Sequence, residues 1–333
     1  MEAKNIIKIN ILQGYNCIIE KGSLSHLCDY FSFDNKKVLI IADSNTKIYI
    51  SSLNINNAYT YIIASGEKSK SLGTYLSIIE YLTNNNFSKT DILIALGGGV
   101  VGDLTGFIAS TYKRGMQYIN VPTSTIAMID ASIGGKNALN CNHIKNIIGT
   151  FYQPALVLID SNTLESLPER HYNSGLIEAL KMGLILNKDI IDLFNDFKGN
   201  IQEIIYLSVL AKKKIIEVDC YDNNVRMCLN FGHTIGHAIE AYEYNNSNPM
   251  YHGESIACGM RYFIKNAQLL QKIDKILDNL HINYHIDFNI DQLYENIKND
   301  KKIRDGKINI IIVYQAGKYE IKRMNVEDIQ KYL

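Results

Sequence analysis

The chain has 333 residues, of which 47% are hydrophobic and 20% charged, a composition typical of a globular protein with a sizeable buried core. Its 34 basic and 34 acidic residues cancel, which excludes a bulk electrostatic attraction to nucleic acid or to an anionic membrane, so any cationic site must be local. No stretch approaches 20 uninterrupted apolar residues, and the first ten residues lack the apolar segment of a signal peptide. We therefore expect no membrane span and no secretion.

Short strand patterns alternate with helical patterns in the first part of the chain. Residues 71–85 carry apolar side chains at helical spacing, and strands are expected at 37–43, 91–96, 118–122 and 155–160. This alternation predicts a parallel sheet that is covered on both faces.

After residue 160 the pattern becomes mainly helical. Helices are expected over 163–280, with interruptions near 219–225 and 243–251, and a late strand at 307–314 is expected to form a hairpin with 317–319. The sequence thus predicts an α/β protein, with an N-terminal Rossmann-like parallel-sheet domain over 1–160 and a mainly α-helical C-terminal domain over 161–333.

A glycine-rich turn follows the second predicted strand. Gly97, Gly98 and Gly99 precede a helical pattern that includes Asp103, and the backbone amides of such a turn suit a pyrophosphate. No acidic residue ends the next strand, as the usual dinucleotide-binding motif requires. The acidic residue at a strand end is Asp43, upstream, so we expect a nucleotide site with an unusual strand order. The alternative is an ordinary tight turn.

Several polar loops bring lysines next to glycines or hydroxyl groups. These loops are 66–70, 111–115, 122–125, 130–137, 145–146 and 300–302. The loops at 122–125 and 130–137, with 145–146 close behind, are expected to form a local cationic or ribose-binding pocket, unless they are ordinary turns. Taken alone, 66–70, 111–115 and 300–302 are expected to be solvated loops.

The histidines of residues 230–254 carry the strongest chemical signal. His233 and His237 are four residues apart and therefore lie on one helix face, and His252 follows after a polar loop. Two imidazoles and a distant carboxylate would form a catalytic zinc site with one open position. If the preceding segment is helical, Arg226 and Asn230 extend the same face and could bind a substrate carboxylate.

Glu178 is a candidate for the distant carboxylate. It lies three residues before Lys181 in a predicted helix whose neighbouring residues are apolar or small. A buried glutamate needs a positive partner, and a metal ion is one candidate. The alternative is a surface ion pair between Glu178 and Lys181.

Together these segments resemble the 3-dehydroquinate synthase family, and the resemblance extends from about residue 43 to residue 302. The wider relatives are sugar-phosphate cyclases and, more distantly, iron-dependent alcohol dehydrogenases. The matching motifs, in chain order, are GEKSK, GGGVVGDLTGF, TYKRG, PTSTIAMIDASIGGK, KNIIGTFYQP, GLIEALKMG, LNFGHTIGHAIE, HGESIACGM and DKK.

The resemblance implies roles for individual residues. Zinc, or cobalt in its place, would be bound by Glu178, His233 and His252, and His237 would lie near the substrate phosphate. NAD would be bound by Asp43, Glu67, Lys70, Gly98, Gly99, Asp103, Thr123, Ser124, Asp130, Lys136 and Lys145. A sugar-phosphate substrate would be bound by Lys136, Lys145, Asn146, Lys181, Lys212, Arg226, Asn230 and one of Lys301 and Lys302. Arg114 would reach the active site of the neighbouring subunit in a homodimer.

The implied activity is that of a lyase in the shikimate pathway of aromatic amino acid biosynthesis. It converts 3-deoxy-D-arabino-heptulosonate 7-phosphate to 3-dehydroquinate and phosphate, through transient oxidation by NAD, phosphate elimination, re-reduction and an aldol ring closure. The scattered cysteines, none in a CxxC pair, predict reduced thiols in a cytoplasmic protein.

Three alternatives make different predictions. A cyclase like 2-deoxy-scyllo-inosose synthase acts on glucose 6-phosphate, whereas Arg226 and Lys212 favour a substrate with a carboxylate. A polyol-phosphate dehydrogenase would share the glycine turn and the metal site but would produce NADH. A non-catalytic module would lack a metal ligand or a proton carrier, and the motifs lack none.

Overall fold

The computed structural model describes residues 5–142, 144–243, 248–285, 289–298 and 305–333. The chain forms two compact units. Residues Lys212–Tyr221 belong to the first unit, although they lie between two parts of the second unit in the sequence. The first unit comprises Met1–Leu167 and Lys212–Tyr221, and the second comprises Pro168–Ala211 and Asp222–Leu333. In the described ranges, no helix is both long enough and apolar enough to cross a membrane.

The first unit contains most of the strands. They are β1 (Ile6–Ile9), β2 (Tyr15–Ile19), β3 (Val38–Asp43), β4 (Tyr59–Ile63), β5 (Ile92–Gly97), β6 (Gln117–Pro122), β7 (Lys136–Cys141), β8 (Ile144–Phe151) and β9 (Leu156–Ile159), with helices α1 (Leu27–Tyr30), α2 (Leu72–Asn84) and α3 (Gly99–Thr111). Within the described residues, seven strands form one sheet in the order β1-β2-β9-β6-β5-β3-β4. Only the edge strand β1 is antiparallel to its neighbour.

Both faces of this sheet are covered. Every residue of β5 is buried, and its side chains alternate between two hydrophobic clusters. Leu93 and Ala95 pack with residues of α2 and α3, whereas Ile94 and Leu96 pack on the other face near α1. Continuous burial of this kind is typical of parallel strands, and the predicted parallel sheet is confirmed.

Some strands were not expected from the sequence. β1, β2 and β4 flank the predicted strands, and β7 and β8 form an antiparallel hairpin in which Lys136 pairs with Phe151. β7 reads KNALNC and β8 is largely exposed, so neither has the apolar alternation that identifies a strand. Pairing between the two strands forms this hairpin.

The second unit is mainly helical, as predicted. Its elements are α4 (Glu169–Ile185), α5 (Asp189–Leu193), most of α6 (Ile201–Ile216), α7 (His233–Glu243), α8 (His252–Tyr262), α9 (Ala267–Asn279) and α10 (Ile290–Lys298), followed by β10 (Lys307–Gln315) and β11 (Lys318–Asn325). β10 and β11 pair antiparallel, which confirms the late hairpin. Residues 173–185 of α4 are all buried, and α8 packs against both α4 and α7.

Candidate functional site

The glycine turn between β5 and α3 is shaped to leave its backbone accessible. A Cβ on Gly97 would lie 2.5 Å from Cγ2 of Val101, and one on Gly102 would lie 3.3 Å from Nδ2 of Asn120. Gly97 therefore permits the tight turn, and Gly102 permits close packing of α3 on β6. A Cβ on Gly99 would find no atom closer than Cβ of Ala131 at 3.8 Å. Gly98 and Gly99 are half-buried, so the backbone at the N-terminus of α3 is partly accessible.

Asp43 lies next to this glycine turn in the sheet. It ends β3, which pairs directly with β5, and Thr46 Oγ1 donates to the carbonyl of Leu96 at 2.9 Å. The chain continues from β3 to one side of the sheet and from β5 to the other, so their carboxyl ends form a topological switch point. Asp43 therefore precedes the glycine turn in sequence but lies at the end of β3, the strand that pairs with β5. This is the unusual strand order that the sequence indicated.

Lys70 connects α3 to the β7–β8 hairpin. Its Nζ lies 2.5 Å from both Oδ2 of Asp103 and Oδ1 of Asn146. Burial raises the pKa of the Asp103 carboxyl, and the nearby Lys70 ammonium opposes that shift. Glu67, in the same loop as Lys70, accepts a hydrogen bond from Nδ2 of Asn140 at 2.7 Å. The structure thus brings these predicted residues together.

A second group of residues predicted for NAD binding lies in the segment after β6. The Thr123 amide donates to the Gly97 carbonyl at 3.0 Å, and a Cβ on Gly98 would lie 3.4 Å from Oγ of Ser124, so this loop contacts the glycine turn. Asp130, six residues after Ser124, pairs with Lys212, whose Nζ lies 2.7 Å from the Asp130 carboxylate. Lys212 is only 4% exposed.

The remaining cationic candidates of the first unit are all exposed. Lys136 and Lys145 are exposed and occupy opposite ends of the β7–β8 hairpin. Arg114 is exposed too, and both Arg114 and its neighbour Lys113 have left-handed backbone conformations, with φ of 63° and 48°. Such conformations cost about 1–3 kcal/mol each in residues other than glycine.

The second unit brings one carboxylate and two imidazoles together. Oε1 of Glu178 lies 3.8 Å from Nε2 of His233 and 3.6 Å from Nε2 of His252. Three helices, α4, α7 and α8, supply these groups, which could hold a metal ion. In a tetrahedral zinc site the ligand atoms lie about 3.4 Å apart, so these residues fit zinc with little movement.

The surroundings of these three side chains favour metal binding. Nδ1 of His233 lies 3.1 Å from the Phe231 carbonyl, and Nδ1 of His252 lies 3.4 Å from Oε2 of Glu240. When Nδ1 donates its proton to these oxygens, each Nε2 is left with a lone pair that faces Glu178. The other carboxylate oxygen of Glu178 accepts a hydrogen bond from Lys181, and both side chains are almost fully buried, so this is not a surface ion pair.

Without metal, the His252 imidazole favours its protonated form. Burial lowers the pKa of His252, but hydrogen bonds to Glu178 and Glu240 outweigh burial and raise it to about 9. The same two carboxylates that would favour a bound cation therefore favour the imidazolium in its absence.

A second possible metal-binding group in the described residues includes His252. His237, Glu240 and His252 also lie close enough to hold a metal ion. His237 is exposed, and its ring lies 5.2 Å from that of His233. Glu240 was not singled out from the sequence. Its position three residues after His237 and seven after His233, on the same helix face, was the available signal.

The expected continuous helix through Arg226, Asn230 and His233 is wrong. Arg226 and Asn230 lie on a separate 3-10 helix, Val225–Asn230, and the backbone turns at Gly232, which has φ of 77°. A Cβ on Gly232 would lie 2.5 Å from Cγ of Met260, so tight packing against α8 requires a glycine at this turn. Lys301 and Lys302 lie outside the described residues.

Profiles of known families match most of the chain. Residues 60–174 match the family described as 3-dehydroquinate synthase N-terminal, and residues 175–303 match 3-dehydroquinate synthase C-terminal. The chain is 37% identical to the 3-dehydroquinate synthase of Streptococcus mutans serotype c, with 96% of each chain covered.

Solved structures of related cyclases share the fold. A 2-deoxy-scyllo-inosose synthase complexed with carbaglucose-6-phosphate, NAD+ and Co2+ has a TM-score of 0.85 at 24% identity, with 98% of each chain covered. A 2-epi-5-epi-valiolone synthase from Streptomyces hygroscopicus subsp. jinggangensis 5008, with NAD+ and Zn2+ bound, has a TM-score of 0.83 at 22% identity and covers 96% of this chain and 95% of its own. These likenesses confirm the predicted fold class. The sequence matches confirm the resemblance seen in the motifs: the chain belongs to the 3-dehydroquinate synthase family.

Proposed function

We propose that the protein is a lyase that converts 3-deoxy-D-arabino-heptulosonate 7-phosphate to 3-dehydroquinate and phosphate. The observation that carries the proposal is the convergence of Glu178, His233 and His252 from three helices, in a chain of this family. These residues would hold zinc, or cobalt in its place, with one position left open for substrate. When bound, the metal supplies a Lewis acid and NAD supplies a reversible hydride acceptor.

The first 160 residues would bind NAD. The N-terminus of α3 would bind the pyrophosphate, since Gly99 leaves its backbone accessible, and Asp43 on the adjacent strand would bind a ribose. The wider proposed NAD set is Glu67, Lys70, Gly98, Asp103, Thr123, Ser124, Asp130, Lys136 and Lys145.

Residues 161–333 would supply the metal site and part of the substrate site. The substrate carries a carboxylate and a phosphate, and its binding therefore needs local cations in a chain of zero net charge. The proposed substrate set is Lys136, Lys145, Asn146, Lys181, Lys212, Arg226 and Asn230, with one of Lys301 and Lys302. His237 would hydrogen-bond the phosphate, and its exposed ring supports that role.

We further propose that the protein acts as a homodimer in the cytoplasm, with Arg114 reaching the partner's active site. The exposure and backbone strain of Arg114 support a functional role. All six cysteines are free thiols, which supports a reducing compartment.

The reaction products test this function. Zinc-loaded protein, incubated with the heptulosonate phosphate and NAD, should release phosphate and form a carbocyclic product identifiable by NMR, with no net NADH. Accumulation of NADH would instead indicate a polyol-phosphate dehydrogenase. Glucose 6-phosphate should give no product, in contrast to a 2-deoxy-scyllo-inosose synthase.

The metal ligands are tested separately. His233→Ala protein should retain less than the roughly one zinc per chain expected for the wild-type protein and should release no phosphate. Normal phosphate release by metal-free His233→Ala protein would refute the ligand assignment.

A further inference from the structure

One face of α4 contacts the beginning of α8. Arg170, Ser174 and Glu178 are spaced four residues apart, so their side chains line the same side of the helix. Each of them meets a different one of the first three residues of α8. The helix that carries the buried carboxylate of the metal site thus also holds the helix that carries His252.

Arg170 makes the strongest of these contacts. Its Nε and Nη2 lie 2.7 Å and 2.8 Å from the two carboxylate oxygens of Glu254, a bidentate arrangement. Its guanidinium also lies over the Tyr251 ring, 4.0 Å from the centroid. Glu254 in turn accepts a hydrogen bond from the Tyr251 amide at 2.7 Å, so the contact is joined to the helix cap itself.

Arg170 also holds the segment before α8. Its Nη1 donates to Oδ1 of Asn248 at 2.6 Å, and its Nη2 donates to the carbonyl of Pro249 at 3.0 Å. A single guanidinium therefore binds both the last residues of the incoming loop and the first turn of the helix.

Ser174 sets the distance between the two helices. Its Oγ accepts a hydrogen bond from the Gly253 amide at 3.1 Å, and a Cβ on Gly253 would lie 1.9 Å from the Ser174 carbonyl oxygen. His252 immediately precedes Gly253, and its Nε2 lies 3.6 Å from Oε1 of Glu178. Zinc–ligand distances vary by only about 0.2 Å, so a small rotation of this turn would remove His252 from the site.

We propose that Arg170 is a positioning residue for the metal site. Its bidentate contact with Glu254 fixes the first turn of α8 and thereby holds Nε2 of His252 against Glu178. This inference rests on the proposed function only in that Glu178, His233 and His252 are taken to bind the metal.

The test compares Arg170→Lys with Arg261→Lys. Arg261 lies near the other end of α8 and makes the same kind of contact, with Nε and Nη2 at 2.7 Å and 3.1 Å from the carboxylate oxygens of Asp274 and the guanidinium 4.4 Å from the Tyr284 ring. Both substitutions keep the charge and lose the bidentate geometry. The measurements are the dissociation constant for zinc, from competition with a chelator, and the melting temperature of the metal-free protein.

Arg170→Lys should weaken zinc binding at least about 10-fold, whereas Arg261→Lys should leave it within about 3-fold, even if both lower the melting temperature equally. In the cobalt-loaded protein, Arg170→Lys should also change the visible absorption bands, which report coordination geometry. Equal zinc affinities in the two variants, or unchanged cobalt bands in Arg170→Lys, would overturn the inference.

Glu254→Gln provides a second variant, which removes the same contact from the other side. Its loss of zinc affinity should not add to that of Arg170→Lys in the double variant, because both remove one interaction. Additive losses would contradict the inference. Unchanged zinc binding by His233→Ala would mean that the proposed metal site is wrong, whereas loss of zinc in His233→Ala alone would mean that only the role of Arg170 is wrong.

Discussion

At the scale of single residues, the buried pair of Glu178 and Lys181 explains how the proposed metal ligand can lie in the core. Their side chains are 1% and 2% exposed, and neither charge could be buried alone. Lys181 neutralises one carboxylate oxygen, while the other faces His233 and His252. Lys181 thus compensates the charge of Glu178 in the metal-free protein and leaves Oε1 directed at the proposed metal site.

Lys181→Met should therefore destabilise the metal-free protein strongly, by about 3 kcal/mol or more, because it leaves a buried carboxylate without its ammonium partner. Saturating zinc should restore part of this loss, since a bound cation supplies the missing positive charge. Urea unfolding of the metal-free and zinc-loaded forms measures both effects.

The double variant Glu178→Gln/Lys181→Met is the control for lost packing. It should be more stable than Lys181→Met without metal and should gain nothing from zinc. If the double variant is no more stable than Lys181→Met, the cost comes from packing and not from the buried charge.

At the scale of elements, glycines set the approach of helices in the second unit. Gly253 lets the start of α8 contact the backbone of α4, and a Cβ on Gly259 would lie 2.1 Å from the carbonyl oxygen of Gly232, at the start of α7. Because α4, α7 and α8 each supply one proposed ligand, the close packing of these helices determines whether the three ligand atoms meet.

Gly253→Ala should lower stability by about 1–3 kcal/mol and weaken zinc binding, because its Cβ would overlap the Ser174 carbonyl oxygen. Gly73→Ala, in the exposed part of α2, is the matched control: its Cβ would meet nothing closer than Oγ of Ser71 at 3.9 Å. That change should raise stability by about 0.5–1 kcal/mol. Thermal unfolding and zinc titration measure both variants, and wild-type zinc affinity in Gly253→Ala would contradict the role of this packing.

At the scale of the whole molecule, the proposed homodimer can be tested by complementation. Arg114→Ala and Lys136→Ala proteins should each be inactive. If Arg114 acts in the partner's site, each mixed dimer contains one intact site, so an equimolar mixture after random subunit exchange should recover about a quarter of wild-type activity. If Arg114 acts in its own subunit, no mixed dimer has an intact site. Absence of activity after exchange is verified by differently tagged subunits would contradict the proposed role.

Much of this protein was predictable from local patterns. The apolar run of β5, the glycine turn after it and the four-residue spacing of His233 and His237 each depend on residues that are adjacent in sequence. The β7–β8 hairpin was not predictable, because neither strand shows apolar alternation and the two are defined by pairing with each other. The separate 3-10 helix of Arg226 was missed as well, since the turn at Gly232 packs tightly against Met260, which is distant in sequence.

By itself, the sequence determined the α/β alternation of the central strands and helices, the glycine turn after β5 and, through its ordered motifs, the family. Only the tertiary structure decided which oxygen of Glu178 faces the imidazoles, that Glu240 engages His252, and that Arg170 holds the start of α8. The physical reason is the distance along the chain over which each feature is set. Backbone conformation and periodicity depend on neighbours a few residues apart. A metal site instead requires atoms from helices far apart in the chain to be placed with sub-ångström accuracy.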